Sequence, residues 1–292
     1  MRFLSTLILF SVPLISWSNV HLATQIHDID FGNEKDEDVL ILLKNGHVAK
    51  IPKWDATLLN ELSEAKDQKS FLDIDFDKER FIQDVDKVIM PLPSEDEEQP
   101  MMSSEKSDYF PTLIPSMAEA KKIFKSARYY SKDSQCFNRA HIWSYEWWKK
   151  SQINSNKILI YFSRNYIRRY NFEWWFHIAP YVHVNENGET LERVMDVKYT
   201  SGPIKFRNWS NIFMRNDAVC PVITKYSDYA DFPYHGDCFI QRTNMYTYQP
   251  ADLQMNEAFG YRKTQWLPSE VNGAYLEAFD ESVDITPDLE GK

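Results

Sequence analysis

At 292 residues, with 43% apolar and 15% aromatic side chains, the chain is long enough to bury one or two substantial cores and is no fibre. Its net charge of −10 lies ahead of residue 107: residues 19 to 106 hold 10 Lys or Arg against 21 Asp or Glu, whereas residues 107 to 292 hold 22 of each. That balance excludes the basic footprint of a nucleic-acid binder, and eight glycines without a Gly-rich phosphate loop, together with the lack of a His-Glu-x-x-His motif, argue against nucleotide and zinc-hydrolase chemistry.

Arg2 precedes the apolar stretch Phe3 to Trp17, which closes on Ser16-Trp17-Ser18. This is the pattern of a signal peptide over residues 1–18, and it predicts a secreted protein, extracellular or periplasmic. An uncleaved anchor is the alternative; no later apolar run approaches the ~20 residues of a membrane span. Asp38 to Lys44 and His47 to Pro52 flank Asn45-Gly46, a strong hairpin signal. Asp55 caps a predicted helix to Lys66 with Leu58, Leu59 and Leu62 on one face. Residues 19–83 thus read as a small acidic α+β domain. Residues 84–106, with Pro91, Pro93, Glu95 to Glu98 and Pro100, read as a disordered acidic, Pro-rich linker open to proteolysis.

Residues 107–279 form the second predicted domain. Ser116 caps a helix to Arg128, with Glu119 completing a capping box. Gln135 and Cys136 open the next helix. Residues 157 to 167 read as a strand, followed by strands Trp174 to Val182 and Arg193 to Val197, made a hairpin by Asn187-Gly188. Residues 280–292 form an acidic tail. The fold class is therefore α+β, a nucleophile-bearing helix packed on an antiparallel sheet, papain- or transglutaminase-like, preceded by the small domain. Residues 107 to 215 carry 17 basic against 9 acidic side chains, so the acidic leader either docks on them electrostatically or is simply solvated.

A thiol where a loop becomes a helix is primed as a nucleophile, because backbone N–H groups and the helix dipole favour its thiolate. Cys136, His177 and Asp196 follow the order of a papain-like triad, and hairpin pairing brings Asp196 to His177, where a carboxylate fixes the imidazole tautomer. Cys220 and Cys238 are expected to form a disulfide, leaving Cys136 free. A metal site from Cys220, His235 and Cys238 is the weaker alternative, and neither metal nor cofactor is expected. Trp174, Trp175 and Tyr181 are candidates for an apolar slot that takes the substrate, or simply pack a strand face. Arg139, His141 and Glu173 are candidate supports, Arg139 by tying the helix to a carboxylate.

Three motifs together resemble the bacterial protein-glutaminases, secreted enzymes that deamidate glutamine side chains in folded proteins. These are Cys136-x-x-Arg139-Ala140-His141; the aromatic run Trp174-Trp175 with His177-x-Ala179-Pro180; and Val194-x-Asp196. The similarity spans roughly Tyr109 to Leu253. It implies a proenzyme whose leader is an intramolecular inhibitor, and protein substrates with accessible glutamines. It also implies Pro-Ser after the triad Asp, where this chain has Val197-Lys198. Two alternatives stay open: transglutaminase-like acyl transfer to amines, and an inactive protein-binding module of the same fold.

Overall fold

The computed structural model describes residues 24–88, 110–131, 134–215, 218–260 and 262–279. The expected signal peptide at 1–18, the tail at 280–292 and the linker from residue 89 onward lie outside the described residues.

Strands β1 (Ile26–Asp30), β2 (Asp38–Leu43) and β3 (Val48–Pro52) form an antiparallel sheet in that order. Gly46 turns the chain between β2 and β3 at φ 93°, a left-handed conformation that a Cβ would strain. The unbroken apolar run of β2 has a physical reason: Val39, Ile41 and Leu43 enter the leader's own core, while Leu40 and Leu42 on the other face join the core of the main body. A strand buried on both faces needs no polar alternation. Helix α1 (Ala56–Asp67) starts where the Asp55 carboxylate accepts from Leu58 N–H at 3.1 Å, and it buries Leu62 and Ala65. Strands β4 (Phe71–Phe76) and β5 (Ile82–Val88) form a hairpin. A linker starting at residue 84 is thereby corrected, because Asp84 and Asp86 pair within β5 although their charge reads as linker.

The main body runs β6 (Leu113–Ile114), α2 (Met117–Lys125), α3 (Cys136–Ser151), β7 (Asn156–Phe162), α4 (Arg164–Tyr170), β8 (Phe176–Glu186), β9 (Glu189–Val194), α5 (Phe206–Phe213), β10 (Val222–Ile223), α6 (Ser227–Ala230), β11 (Cys238–Thr243), α7 (Pro250–Phe259) and α8 (Pro268–Phe279). Its sheet is antiparallel at the centre, through β11, β7, β8 and β9, and carries the short parallel strands β10 and β6 at its edges. The strand expected over 157–167 ends at Phe162. Ser163 Oγ accepts from Tyr166 N–H at 3.1 Å, and this cap starts α4 instead.

Helix α3 lies between β8 and α8 and is buried along nearly its whole length, which its aromatic content allows. Cys220 and Cys238 are disulfide-bonded, and Cys136 is the free cysteine among the described residues. No helix among the described residues is long and apolar enough to cross a membrane.

Candidate active site

Gln135 stands extended ahead of α3, so Cys136 occupies the helix's first position, where backbone N–H groups are not consumed by helical bonds. β8 carries His177 past it. Met195 N–H donates to Pro180 O at 2.8 Å, extending the β8–β9 pairing just far enough to place Asp196 beside the imidazole. The Asp196 carbonyl then accepts from Tyr199 and Thr200 N–H, so the turn is fixed without the Pro-Ser that the resemblance implied.

The sulfur of Cys136 and the ring of His177 are hydrogen-bonded, and His177 Nε2 meets Asp196 Oδ2 at 2.7 Å. With Nε2 engaged there, Nδ1 is the nitrogen that serves the sulfur. Trp209 Nε1–H donates to the same Asp196 oxygen at 2.8 Å, and Ile178 N–H points at the sulfur. Phe213, Tyr199 and Trp209 wall the imidazole, with ring centroids 4.5, 5.1 and 5.7 Å from it.

Burial by itself would raise the Cys136 thiol, but His177, Arg139 and the Ile178 N–H outweigh it and hold the thiol below its ordinary value. Burial likewise works against an imidazolium, yet Asp196 and Cys136 lift His177 to about 9. Asp196, despite burial, is held below the usual carboxylate range by His177 and the Trp209 donor. Both shifts favour the pair of thiolate and imidazolium. It is lost on the acid side when sulfur takes a proton and on the alkaline side when His177 releases one near pH 9.

Asp196→Asn removes the charge that sustains the imidazolium, so the alkaline limb of the kcat/KM profile, which needs His177 as an acid, moves to lower pH, and turnover falls by about 10²–10⁴-fold. An alkaline limb that stays in place in the variant overturns this assignment.

The sulfur opens on a cavity of about 200 Å³ whose walls include Ser134, Arg139, Trp174, Phe176 and Lys198, and also Asn45, Gly46 and His47 of the leader. The leader is clamped there by backbone pairing. Trp175 N–H donates to Gly46 O at 3.0 Å, Val48 N–H to Glu173 O at 2.9 Å, and His47 bridges Trp174. His47 is hydrogen-bonded to Gln135, and burial lowers it to about 4, so it sits neutral at the cavity mouth.

Of the expected slot residues, only Trp174 lines the cavity. Trp175 projects oppositely, stacking on His27 at 4.3 Å and donating from Nε1 to Leu43 O at 2.7 Å. Tyr181 shares the His177 face but lies four residues on, about 13 Å along the strand.

Among the supports, the partner expected for Arg139 is corrected. Arg139 donates to the Ser134 carbonyl and, at 3.1 Å, to its Oγ, holding the loop ahead of Cys136 rather than binding a carboxylate. His141 lies about 140° round the helix from Cys136. It is buried against Tyr248, Trp266 and Lys157 Nζ, the last at 2.9 Å, and so braces α3 from behind. The Glu173 carboxyl, raised by burial, interacts with Arg80 and Lys198. Nothing local marks Tyr199, and the amphipathic pattern of α5 is the one signal for Trp209 and Phe213.

A two-layer α+β protein with a Cys–His–Asp constellation at a helix N-terminus is the class that fold and site define. Residues 115–213 match the family model described as Glutaminase. That segment, about a third of the chain, holds Cys136, His177 and Asp196.

Among solved structures the chain is similar to a pro-protein-glutaminase at 15% identity, over 88% of this chain and 92% of that one, with a TM-score of 0.49. It is also similar to the protein-glutaminase of Chryseobacterium proteolyticum at 15% identity, over 62% and 95%, with a TM-score of 0.38. No match is found among curated proteins.

Proposed function

We propose that the protein is an exported protein-glutamine glutaminase, made as a proenzyme, that converts glutamine side chains of proteins to glutamate and ammonia. The observation that carries this reading is the hydrogen-bonded series Cys136–His177–Asp196, closed by Trp209, inside the segment that matches the glutaminase family.

The Cys136 thiolate attacks the carboxamide carbon, and the backbone N–H groups at the start of α3 face the developing oxyanion. His177, as imidazolium, protonates the departing ammonia. As neutral imidazole it then deprotonates the water that hydrolyses the thioester, regenerating the thiolate. Asp196 and Trp209 keep the imidazole oriented. Arg139 holds the approach loop, and Trp174 offers an apolar wall to the glutamine methylenes. The leader, residues 19 to 88, is the intramolecular inhibitor. Export agrees with the N-terminal pattern and with a disulfide, which persists in oxidising compartments.

Incubation with a glutamine-rich protein is expected to release ammonia and to raise the substrate's intact mass by the amide-to-acid increment. A labelled primary amine present in the assay stays unincorporated. Amine incorporation in place of hydrolysis turns the reading to acyl transfer, and neither product leaves a binding module.

A further inference from the structure

The most heavily paired cation at the contact between leader and main body is Arg168, on α4. Its Nη1 donates to Asp38 Oδ1 at 2.8 Å and Asp38 O at 3.2 Å, its Nη2 to Asp30 Oδ2 at 2.8 Å and Asp30 O at 3.1 Å, and Asp36 lies 3.6 Å from Nε. One turn earlier Arg164, buried and hydrogen-bonded to Tyr229 Oη at 2.7 Å, faces Asp28 at 3.4 Å. The Tyr234 hydroxyl donates to Asp30 as well. These groups are borne by the main body, yet each carboxylate named here belongs to the leader.

The same leader strand that brings Asp38 to Arg168 runs on to the turn at Asn45 and Gly46, which lines the cavity of Cys136. From Asp38 to Leu43 an extended strand covers about 17 Å. The backbone edge at Glu173 and Trp175, which pairs with Gly46 and Val48, adjoins the cavity. A protein presenting a glutamine to Cys136 must enter where the leader lies. It then meets, in order, a cavity, a strand edge open to backbone pairing, and a fixed pair of guanidinium groups with a phenol beside them. Guanidinium forks bind carboxylates bidentately and specifically.

We infer that Arg168 and Arg164, with Tyr234, form an acidic-peptide exosite in the released enzyme. It selects protein substrates whose reactive glutamine has carboxylates about seven residues on its N-terminal side, the separation of Asp38 from Asn45 at the cavity. The inference rests on the deamidase reading above only for the identity of the reacting side chain. Exosite recognition of this kind works at a distance from the chemistry, so it tunes KM and salt dependence and leaves the reacting groups alone.

The test uses the full chain with a specific protease site inserted after Glu98, folded intact, cut, and freed of its leader at high salt. Two glutamine peptides of equal length are compared, one with two Asp residues about seven positions before the glutamine, the Asp38 to Asn45 separation, and one with Asn there. The expected result is that the acidic peptide has the higher kcat/KM at low salt, and that Arg168→Gln removes about tenfold of it through KM while the Asn peptide is unaffected. Fluorescence anisotropy of the acidic peptide on the Cys136→Ala protein reads binding without chemistry. Weaker binding by Arg168→Gln there supports the exosite even if no peptide is deamidated. Equal binding of both peptides, or equal losses for both in Arg168→Gln, overturns it. Arg168→Lys keeps charge but not the fork, and full rescue by it reduces the site to unspecific attraction.

Discussion

Cys136→Ala abolishes ammonia release from a glutamine-bearing protein, by at least about 10⁴-fold, and leaves the fold standing. The size follows from the covalent route: without the sulfur no thioester forms, and His177 has no partner to activate. The tolerance of the fold follows from position, since Cys136 is half-buried at a helix start and the change removes one sulfur while keeping the helical backbone. His177→Ala is expected to cost nearly as much, and the double variant little more, because groups acting as a unit do not add. Measurable residual turnover well above background in Cys136→Ala, with circular dichroism unchanged, removes the cysteine from the chemistry.

Cutting the chain between the leader and the main body and releasing the leader raises activity at least about 100-fold, which is what an opening cost of about 3 kcal/mol implies for the intact chain. Several independent contacts support a cost of that order. Leu40, Leu42 and Val48 enter the core shared with β7 and β8. Backbone pairing ties Gly46 and Val48 to Trp175 and Glu173, and His27 stacks on Trp175 while meeting Tyr226 Oη at 2.7 Å. As long as the leader is attached it is held at high effective concentration, so cutting alone activates less than cutting followed by dilution. Because Arg168 is surrounded by three carboxylates, added salt favours release after the cut, in the sense opposite to a purely apolar contact. Rates on protein substrate are measured before the cut, after it, and after separation. Equal rates at all three stages leave the leader without an inhibitory role.

His27 sharpens the same expectation toward acid. Burial lowers it to about 4. His27 and His47 are therefore neutral when docked, and protonation is disfavoured there relative to the free leader. The contribution of these two histidines to docking is complete above the ordinary histidine range and is lost as pH falls from about 6.5 toward 4.

Local chemistry sufficed where neighbouring residues decide structure. Asn45-Gly46 made its hairpin, Asp55 and Ser116 capped their helices, and Cys136 opened α3, because turn and cap energetics act over three or four residues. Spacing also anticipated the meeting of His177 and Asp196, since a two-residue hairpin turn fixes register. The cysteine pair at 220 and 238 was legible by elimination in a chain whose N-terminal pattern reads as an export signal.

Tertiary packing decided the rest. It turned the segment after Phe162, expected to continue the strand, into α4, where Ser163 could cap a helix. It sent Trp175 and His141 to faces away from the sulfur, and it recruited Trp209 from 13 residues beyond Asp196 to finish the hydrogen-bonded series. It also paired Asp28, Asp30, Asp36 and Asp38 of the leader with Arg164 and Arg168 of the main body. Composition by itself left open whether those charges are solvated or paired, because pairing depends on which surfaces the two folded parts present to each other.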